Sequence, residues 1–277
     1  MAAVQEFVDL ERYPIEDLST PAAQALLEQA RQQLAELGAV ELNGFIHAAG
    51  VAELVADAED LAVRAHRSEG VGTAYLELPD DAWPATHPRQ HWMPYAVRAV
   101  GYDLIPYASP LRRIYEDQAV LRFIEAIVGR GTLYPYADPF GALNLAVMGE
   151  GDELQWHFDQ TDFVVSLAIQ DADLGGDFDV VPKIRTADDE AYDRVGRLLD
   201  GDESEVLTLE MTPGTLLIFE GRNSIHRVSP IAGNTLRHVG LLAYDTVPDR
   251  VGSALLREIR YGRTEPFAEP PASWSAT

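Results

Sequence analysis

The residues best suited to chemistry lie in Gln155-Trp156-His157-Phe158-Asp159-Gln160, just ahead of an apolar alternating run from Phe163 to Ile169. Side chains two apart on extended backbone point to one side, so His157 and Asp159 share a face. An imidazole and a carboxylate placed together can grip one cation. A third donor is available at His226, within Asn223-Ser224-Ile225-His226-Arg227-Val228. Two histidines and one carboxylate that leave coordination positions open form the facial triad of non-haem Fe(II) oxygenases. The same donors can hold zinc, so a zinc hydrolase or isomerase is the alternative chemistry. Arg237 follows His226 by eleven residues, in Leu236-Arg237-His238-Val239-Gly240. A guanidinium turned into an apolar barrel needs an anion, and its planar fork suits a carboxylate.

Strands must carry these groups, and beyond Gly131 the hydrophobic period becomes two. Strands are expected over residues 133–136, 142–148, 157–159, 163–170, 178–181, 205–209, 214–220, 226–230 and 236–245. Gly149-Glu150-Gly151-Asp152, Gly175-Gly176-Asp177 and Pro213-Gly214 are the turn signals between them. A helical insert is expected over 187–199 and a last helix over 249–260.

The first half reads as helical. Residues 1–18 form a polar, irregular arm. Thr20-Pro21 starts a helix that Gly38 ends, with Ala23, Leu26, Leu27, Ala30, Leu34 and Leu37 at helical spacing. A short strand over 39–46 and a second helix over 51–67 follow. Residues 68–106, rich in Gly, Pro and aromatics, are expected to form a functional loop, a lid or binding segment. Ser109-Pro110 caps a third helix over 111–128. Helices followed by many short antiparallel strands predict an α+β fold. Its core is a double-stranded β-helix (a jelly-roll or cupin barrel) with N-terminal helices packed outside. One domain is expected over 1–277: a helical part about 1–130, a barrel core about 131–246 and a C-terminal helix about 249–260.

Apolar content is 47%, as in a globular chain. There are no cysteines, which excludes disulfides, thiolate metal sites and cysteine nucleophiles. The net charge is −24, from 21 Lys+Arg against 45 Asp+Glu, and Lys183 is the only lysine. Such a chain repels nucleic acid and anionic membrane, and the charge speaks first to solubility. No apolar run approaches the roughly 18 residues needed to span a bilayer, and no signal-peptide pattern opens the chain. A cytoplasmic enzyme of secondary metabolism is expected, with a small-molecule partner, no nucleic acid or membrane, and a homodimer left open.

Several segments resemble the HalD/BesD-like group of Fe(II)/2-oxoglutarate-dependent oxygenases, which includes radical halogenases and hydroxylases acting on free amino acids, notably lysine. They are Leu133-Tyr134-Pro135-Tyr136-Ala137-Asp138-Pro139, Trp156-His157-Phe158, Gly175-Gly176-Asp177-Phe178, Gly221-Arg222-Asn223-Ser224-Ile225-His226-Arg227-Val228 and Ala243-Tyr244-Asp245-Thr246. The resemblance runs from about Pro79 to Thr246. It implies that His157, Asp159 and His226 bind Fe(II) and that Arg237 holds the distal carboxylate of 2-oxoglutarate. It also implies consumption of O2, with succinate and carbon dioxide as products. Halogenases of the group carry glycine where this chain has Asp159, and the halide takes the vacated position. Hydroxylation is therefore the expected outcome.

Lysine-directed relatives place acidic and polar groups around this motif. Leu154, Gln160, Leu241 and Ala243 offer no charge for a distal ammonium. A less polar amino acid or an elaborated metabolite is expected. Candidates to touch it are Asn144, a polar residue among Ala142, Leu143, Leu145 and Ala146, together with Arg98, Gln160 and Trp92. By alternation Arg227 and His238 should face away from the site, and Trp156 should pack on the outer face.

Overall fold

The computed structural model describes residues 3–77 and 80–268. The expectations for residues 1–2, for 78–79 inside the 68–106 loop, and for 269–277 lie outside the described residues. Capping chemistry sets the helices of the first half. After α1 (Ala3–Phe7), α2 (Pro21–Leu37) begins at Thr20, whose hydroxyl accepts from the Ala23 N–H. It ends at Gly38, which adopts φ 65°. β1 (Ala39–Leu42) follows. α3 (Ala48–Ala62) is capped by His47, whose Nδ1 accepts from the Gly50 N–H 3.0 Å away.

The strand and helix series continues with β2 (His66–Gly72), β3 (Met93–Gly101), α4 (Pro110–Glu116), α5 (Gln118–Val128), β4 (Tyr134–Pro135), β5 (Leu143–Met148), β6 (Glu153–His157), β7 (Val164–Gln170) and β8 (Phe178–Val181). It closes with α6 (Tyr192–Leu199), β9 (Leu207–Leu209), β10 (Leu216–Phe219), β11 (Ile225–Val228), β12 (Arg237–Leu242), β13 (Tyr244–Asp245) and α7 (Ala254–Tyr261). Eleven strands form one antiparallel sheet in the order β1-β10-β7-β12-β5-β3-β6-β11-β8-β9, with β2 beside β3. β3 is the corner: it pairs with β5 through Arg98–Gly101 and with β6 through Tyr95 and Ala96. The sheet thereby folds into the nearly closed jelly-roll barrel that the sequence predicts.

Period-two patterning sorts side chains between the layers. On β5, Leu143, Leu145 and Val147 join the large core shared with α2 to α5. Met148 and Ala146 turn the other way, into a second cluster with Val97, Ala168, Phe178, Val180, Leu217, Phe219 and Val228. That second cluster fills the barrel. A third lies outside the narrow half of the sheet, where α6 covers Trp156, Val181 and Ile225.

Seven expected segments need correction. The arm is not wholly irregular or polar: its described residues include α1, Phe7, Val8, Tyr13 and Ile15 are buried, and Val8 bridges to Ile46. Its few apolar residues are scattered, so no period marks them. The helix expected over 51–67 starts at Ala48 and stops at Ala62, because residues 66–72 join the sheet. The 68–106 loop contains two strands: β2 and β3 pair from His66↔Ala99 to Gly72↔Met93. Val97 and Ala99 alternate with Ala96 and Arg98, a pattern masked by the Pro and aromatic density around it. The helix over 111–128 breaks at Asp117 (φ −74°, ψ 126°), whose carboxylate caps α5 by accepting from the Ala119 N–H at 2.7 Å. β6 ends at His157, two residues before Asp159. The insert and last helix are shorter than expected, starting at Tyr192 and Ala254.

His238 does face away from Arg237, but into the interior between sheet and helices. It is fully buried, and neither ring nitrogen has a hydrogen-bond partner among the described residues. Burial pushes its pKa down to about 4. Unfolded, the ring titrates near 6.5, so the unfolded chain binds the extra proton between these values. Stability is therefore lost as pH falls through that window. We expect His238→Leu to be at least as stable as the native chain at pH 7.5, since it removes unsatisfied polar atoms. Its advantage in urea unfolding should widen by on the order of 1–2 kcal/mol by pH 5. A gap that stays constant with pH would show that the ring is not held neutral.

Candidate active site

Adjacent strands of the narrow half bring the donors together. His226 on β11 pairs in register with His157 on β6, and their ring centroids are 4.3 Å apart. Asp159 lies just past β6, where its N–H donates to the Gly221 carbonyl at 3.0 Å. Asp159 Oδ2 sits 3.3 Å from His226 Nε2. Ligand atoms of all three residues fall within 4.8 Å of one another.

Four further features fit a metal ion. His157 Nδ1 is 2.7 Å from the Gln155 carbonyl, and His226 Nδ1 is 3.0 Å from the Ser224 carbonyl. A carbonyl only accepts, so each Nδ1 carries the proton and each Nε2 keeps its lone pair. Asp159 Oδ2 is buried with no hydrogen-bond partner among the described residues. Burial pushes His157 down to about 4, with the His226 and Arg260 charges acting the same way and Asp159 opposing them. The ring is thus neutral at pH 7, as ligation requires. Gly221 makes room for the carboxylate: a Cβ there would stand 2.0 Å from Asp159 Oδ2.

Arg237 opens β12 opposite Met148, on the face that fills the barrel, and is 6% exposed. Burial lowers its pKa to about 10 against the pull of Asp171 and Asp177. Among the described residues it has no hydrogen-bonded or ion-paired partner, unlike most arginines of the chain. Gly176, at φ 76°, gives its stem clearance, because a Cβ there would meet Arg237 Cδ at 2.7 Å. The Gly175-Gly176 turn thus also shapes the cavity.

The remaining candidates divide. Asn144 is half-buried on the barrel face of β5, in register with Leu241 and Gly101. Arg98 is a correction: it pairs in register with Val147, on the helix-facing side, and its guanidinium is 3.4 Å from buried Asp152. Parity along β3 separates it from the cavity. Gln160 is exposed, and its carbonyl accepts from Arg222. Trp92 is 39% exposed. Arg227 pairs with Asp179 and Glu203 outside the barrel, above the Trp156 ring.

Sequence reading missed how residues 73–77 and 80–92 are anchored. Tyr75 packs on Phe158, the residue between the two donors, at 5.4 Å. Arg89 stacks on Tyr75 and donates to the Tyr192 hydroxyl of α6 at 2.9 Å. The wall beside the donors is thus an aromatic cluster tied to α6.

A family model described as halogenase D matches residues 22–255, a span that includes all three donors and Arg237. The chain belongs to the halogenase D family. Solved structures share its fold at low identity. The non-heme alpha ketoglutarate dependent epimerase SnoN from nogalamycin biosynthesis is 16% identical, with TM-score 0.57, covering 90% of this chain and 93% of its own. AviO1 from Streptomyces viridochromogenes Tue57 is 18% identical, with TM-score 0.55, covering 79% and 95%. The carbocyclase SnoK is 14% identical, with TM-score 0.54, covering 83% and 85%. No curated protein sequence matches the chain.

The Gly221 clearance yields a direct test. Gly221→Ala should displace the Asp159 carboxylate and weaken Fe(II) or Mn(II) binding by roughly 10- to 100-fold, with unchanged circular dichroism. Native metal affinity in that variant would remove Asp159 from the ligand set.

Proposed function

We propose that the chain is an Fe(II)/2-oxoglutarate-dependent dioxygenase that hydroxylates an unactivated C–H bond of a small metabolite, an amino acid or derivative. The observation carrying this reading is the convergence of two Nε2 lone pairs and an unpartnered carboxylate oxygen, with an unpaired guanidinium inside the same barrel. Family membership supports it. So does the shared fold, since SnoN has been solved with Fe3+, alpha ketoglutarate and nogalamycin RO. Iron bound here supplies dioxygen activation coupled to oxidative decarboxylation of 2-oxoglutarate, giving succinate and carbon dioxide.

The chain's own residues do the rest. His157 and His226 present lone pairs held by their backbone acceptors, and Asp159 offsets part of the ion's charge. Arg237 meets the distal carboxylate through its fork, strengthened by apolar neighbours, Met148 in register with it and Ile231 beside it at Gly176. Asn144 faces the same interior and is placed to orient substrate. Hydroxylation rather than halogenation follows from Asp159, because a protein carboxylate would take the ligand position that a halide needs.

The deciding experiment incubates iron-loaded protein and 2-oxoglutarate with free amino acids and their derivatives. Succinate release and a mass gain of one oxygen should depend on iron and vanish with zinc. In excess chloride the native chain should still give the hydroxylated product, and a chlorinated one would overturn this branch. Arg237→Ala should raise the KM for 2-oxoglutarate by roughly 10- to 100-fold, with a much smaller effect on unfolding. Unaltered 2-oxoglutarate binding would exclude Arg237 from that role. Asp159→Gly should abolish hydroxylation without creating chlorination, since a halide also needs surrounding donors.

A further inference from the structure

Two aromatic side chains flank His157 on the outside of the barrel, and an arginine covers each. Arg227 stands 4.6 Å from the Trp156 ring centroid and pairs with Asp179 and Glu203. Arg185 stands 3.8 Å from the Phe158 ring centroid. The two differ in what they join. Arg227 belongs to β11, whose ladder with β6 already holds Trp156. Phe158 lies past the rung that sets His157 opposite His226, where β6 has ended and Asp159 follows.

Beyond that rung the ladder no longer fixes Asp159 against His226. A backbone bond crosses there, from the Asp159 N–H to the Gly221 carbonyl. Arg222 adds bonds to the Gln160 carbonyl and to Asp162, but its side chain and that of Asp162 are half-exposed, and such pairs hold little. The Arg185 side chain is only 14% exposed. Its Nε donates to the Arg222 carbonyl at 2.7 Å and its Nη1 to Glu190 at 2.9 Å. Its backbone N–H donates to the Asn223 carbonyl at 3.3 Å, and the Lys183 N–H donates to Ser224 Oγ at 3.1 Å. Residues 183–185 thus run on from β8 along the 222–224 turn, and the Ser224 carbonyl in that turn is the acceptor that orients His226. One guanidinium therefore joins the residue between two donors to the turn that leads to the third. Cation–π attraction holds the Phe158 end and a charge-assisted hydrogen bond the Arg222 end, both strengthened by burial.

We propose that Arg185 is a positioning residue for the metal centre: from outside the barrel it clamps the stretch carrying Asp159 to the turn leading into His226, and so fixes the Asp159 carboxylate against His226 Nε2. It acts through Phe158 and the 221–224 turn rather than by contact with a ligand atom. The role rests on the metal reading of the three donors, but the clamp itself can be read without a metal.

The test compares the native chain with Arg185→Met, Arg185→Lys and Glu190→Gln. Amide hydrogen exchange is followed on the metal-free full chain, and Mn(II) affinity is measured by calorimetry. Arg185→Met keeps an apolar stem on Phe158 and loses the bond to the Arg222 carbonyl. Its Asp159 N–H should exchange roughly tenfold or more faster, with β11 amides within about twofold of native. Mn(II) should bind roughly 10- to 100-fold more weakly, and the EPR lines of the bound ion should broaden. Arg185→Lys keeps the charge and loses the planar fork, so it should recover part of the affinity. Glu190→Gln breaks the ion pair and leaves the Arg222 and Phe158 contacts, so Mn(II) affinity should stay within about twofold while urea stability falls. Should the Met variant not fold, the Lys variant decides, by losing more Mn(II) affinity than Glu190→Gln at no greater loss of stability. Native Mn(II) affinity in the Arg185 variants overturns the proposal. So does an unchanged Asp159 exchange rate, or a Glu190→Gln variant that loses as much affinity as Arg185→Lys. A native chain that binds neither Mn(II) nor Fe(II) overturns the metal reading and the positioning role with it, and faster Asp159 exchange would then mark a clamp that serves the fold alone.

Discussion

Everything at the site depends on the antiparallel pairing of β11 with β6. It sets His226 opposite His157, and a register shift between His226 and Val228 lets Leu154 oppose Val228 on the same ladder. β8 holds β11 from the other side, and Phe178 and Phe219 flank the His226 ring at 5.5 and 4.9 Å. The Nε2 atom is thus fixed by ladder hydrogen bonds, a backbone acceptor and two aromatic neighbours. Such over-determination is what holds donors in an orientation suited to ligation.

Charge is distributed with the same economy. The surface carries a large acidic excess, and most arginines are consumed by it, as with Arg227 on Asp179 and Glu203 or Arg130 on Glu220. Arg237, buried on the barrel face of β12, is left out of those pairs. In a net-negative protein, anionic ligands gain nothing from the overall field. They must be held by local cations in a low-dielectric setting, where each charge-assisted bond is stronger than in water.

Much of this was legible in the sequence. The His-x-Asp spacing, the distant His226 and the inward position of Arg237 all followed from period-two alternation, because strands keep it faithfully. The caps at Thr20 and Gly38 were equally plain. What failed did so for physical reasons. Arg98 sits on a strand hidden by its Pro-rich surroundings, so its parity, and hence its face, could not be counted. The helix break at Asp117 looked like one more polar position on a continuous apolar stripe. Tyr261 comes against Gly101 only through tertiary docking of α7, and the helix itself shows Leu255, Leu256 and Ile259 to solvent. Gly221 and Gly176 matter for atoms they lack, which no local pattern reveals.

Gly221 bears most directly on which reaction the scaffold supports. The family shares a scaffold, and the proposed reaction turns on the residue at one ligand position. Asp159 and Gly221 behave as a matched pair: the carboxylate occupies the volume that any side chain at 221 would claim, and the Asp159 N–H is bonded to the Gly221 carbonyl. Shortening residue 159 alone would leave a gap beside Gly221 and an unshielded edge on His226. The surroundings of this position are therefore shaped for an acid, not merely tolerant of one. A halide would need both the missing carboxylate and new donors facing the space it vacates. The proposed hydroxylation thus leans on two residues, the carboxylate at 159 and the missing side chain at 221.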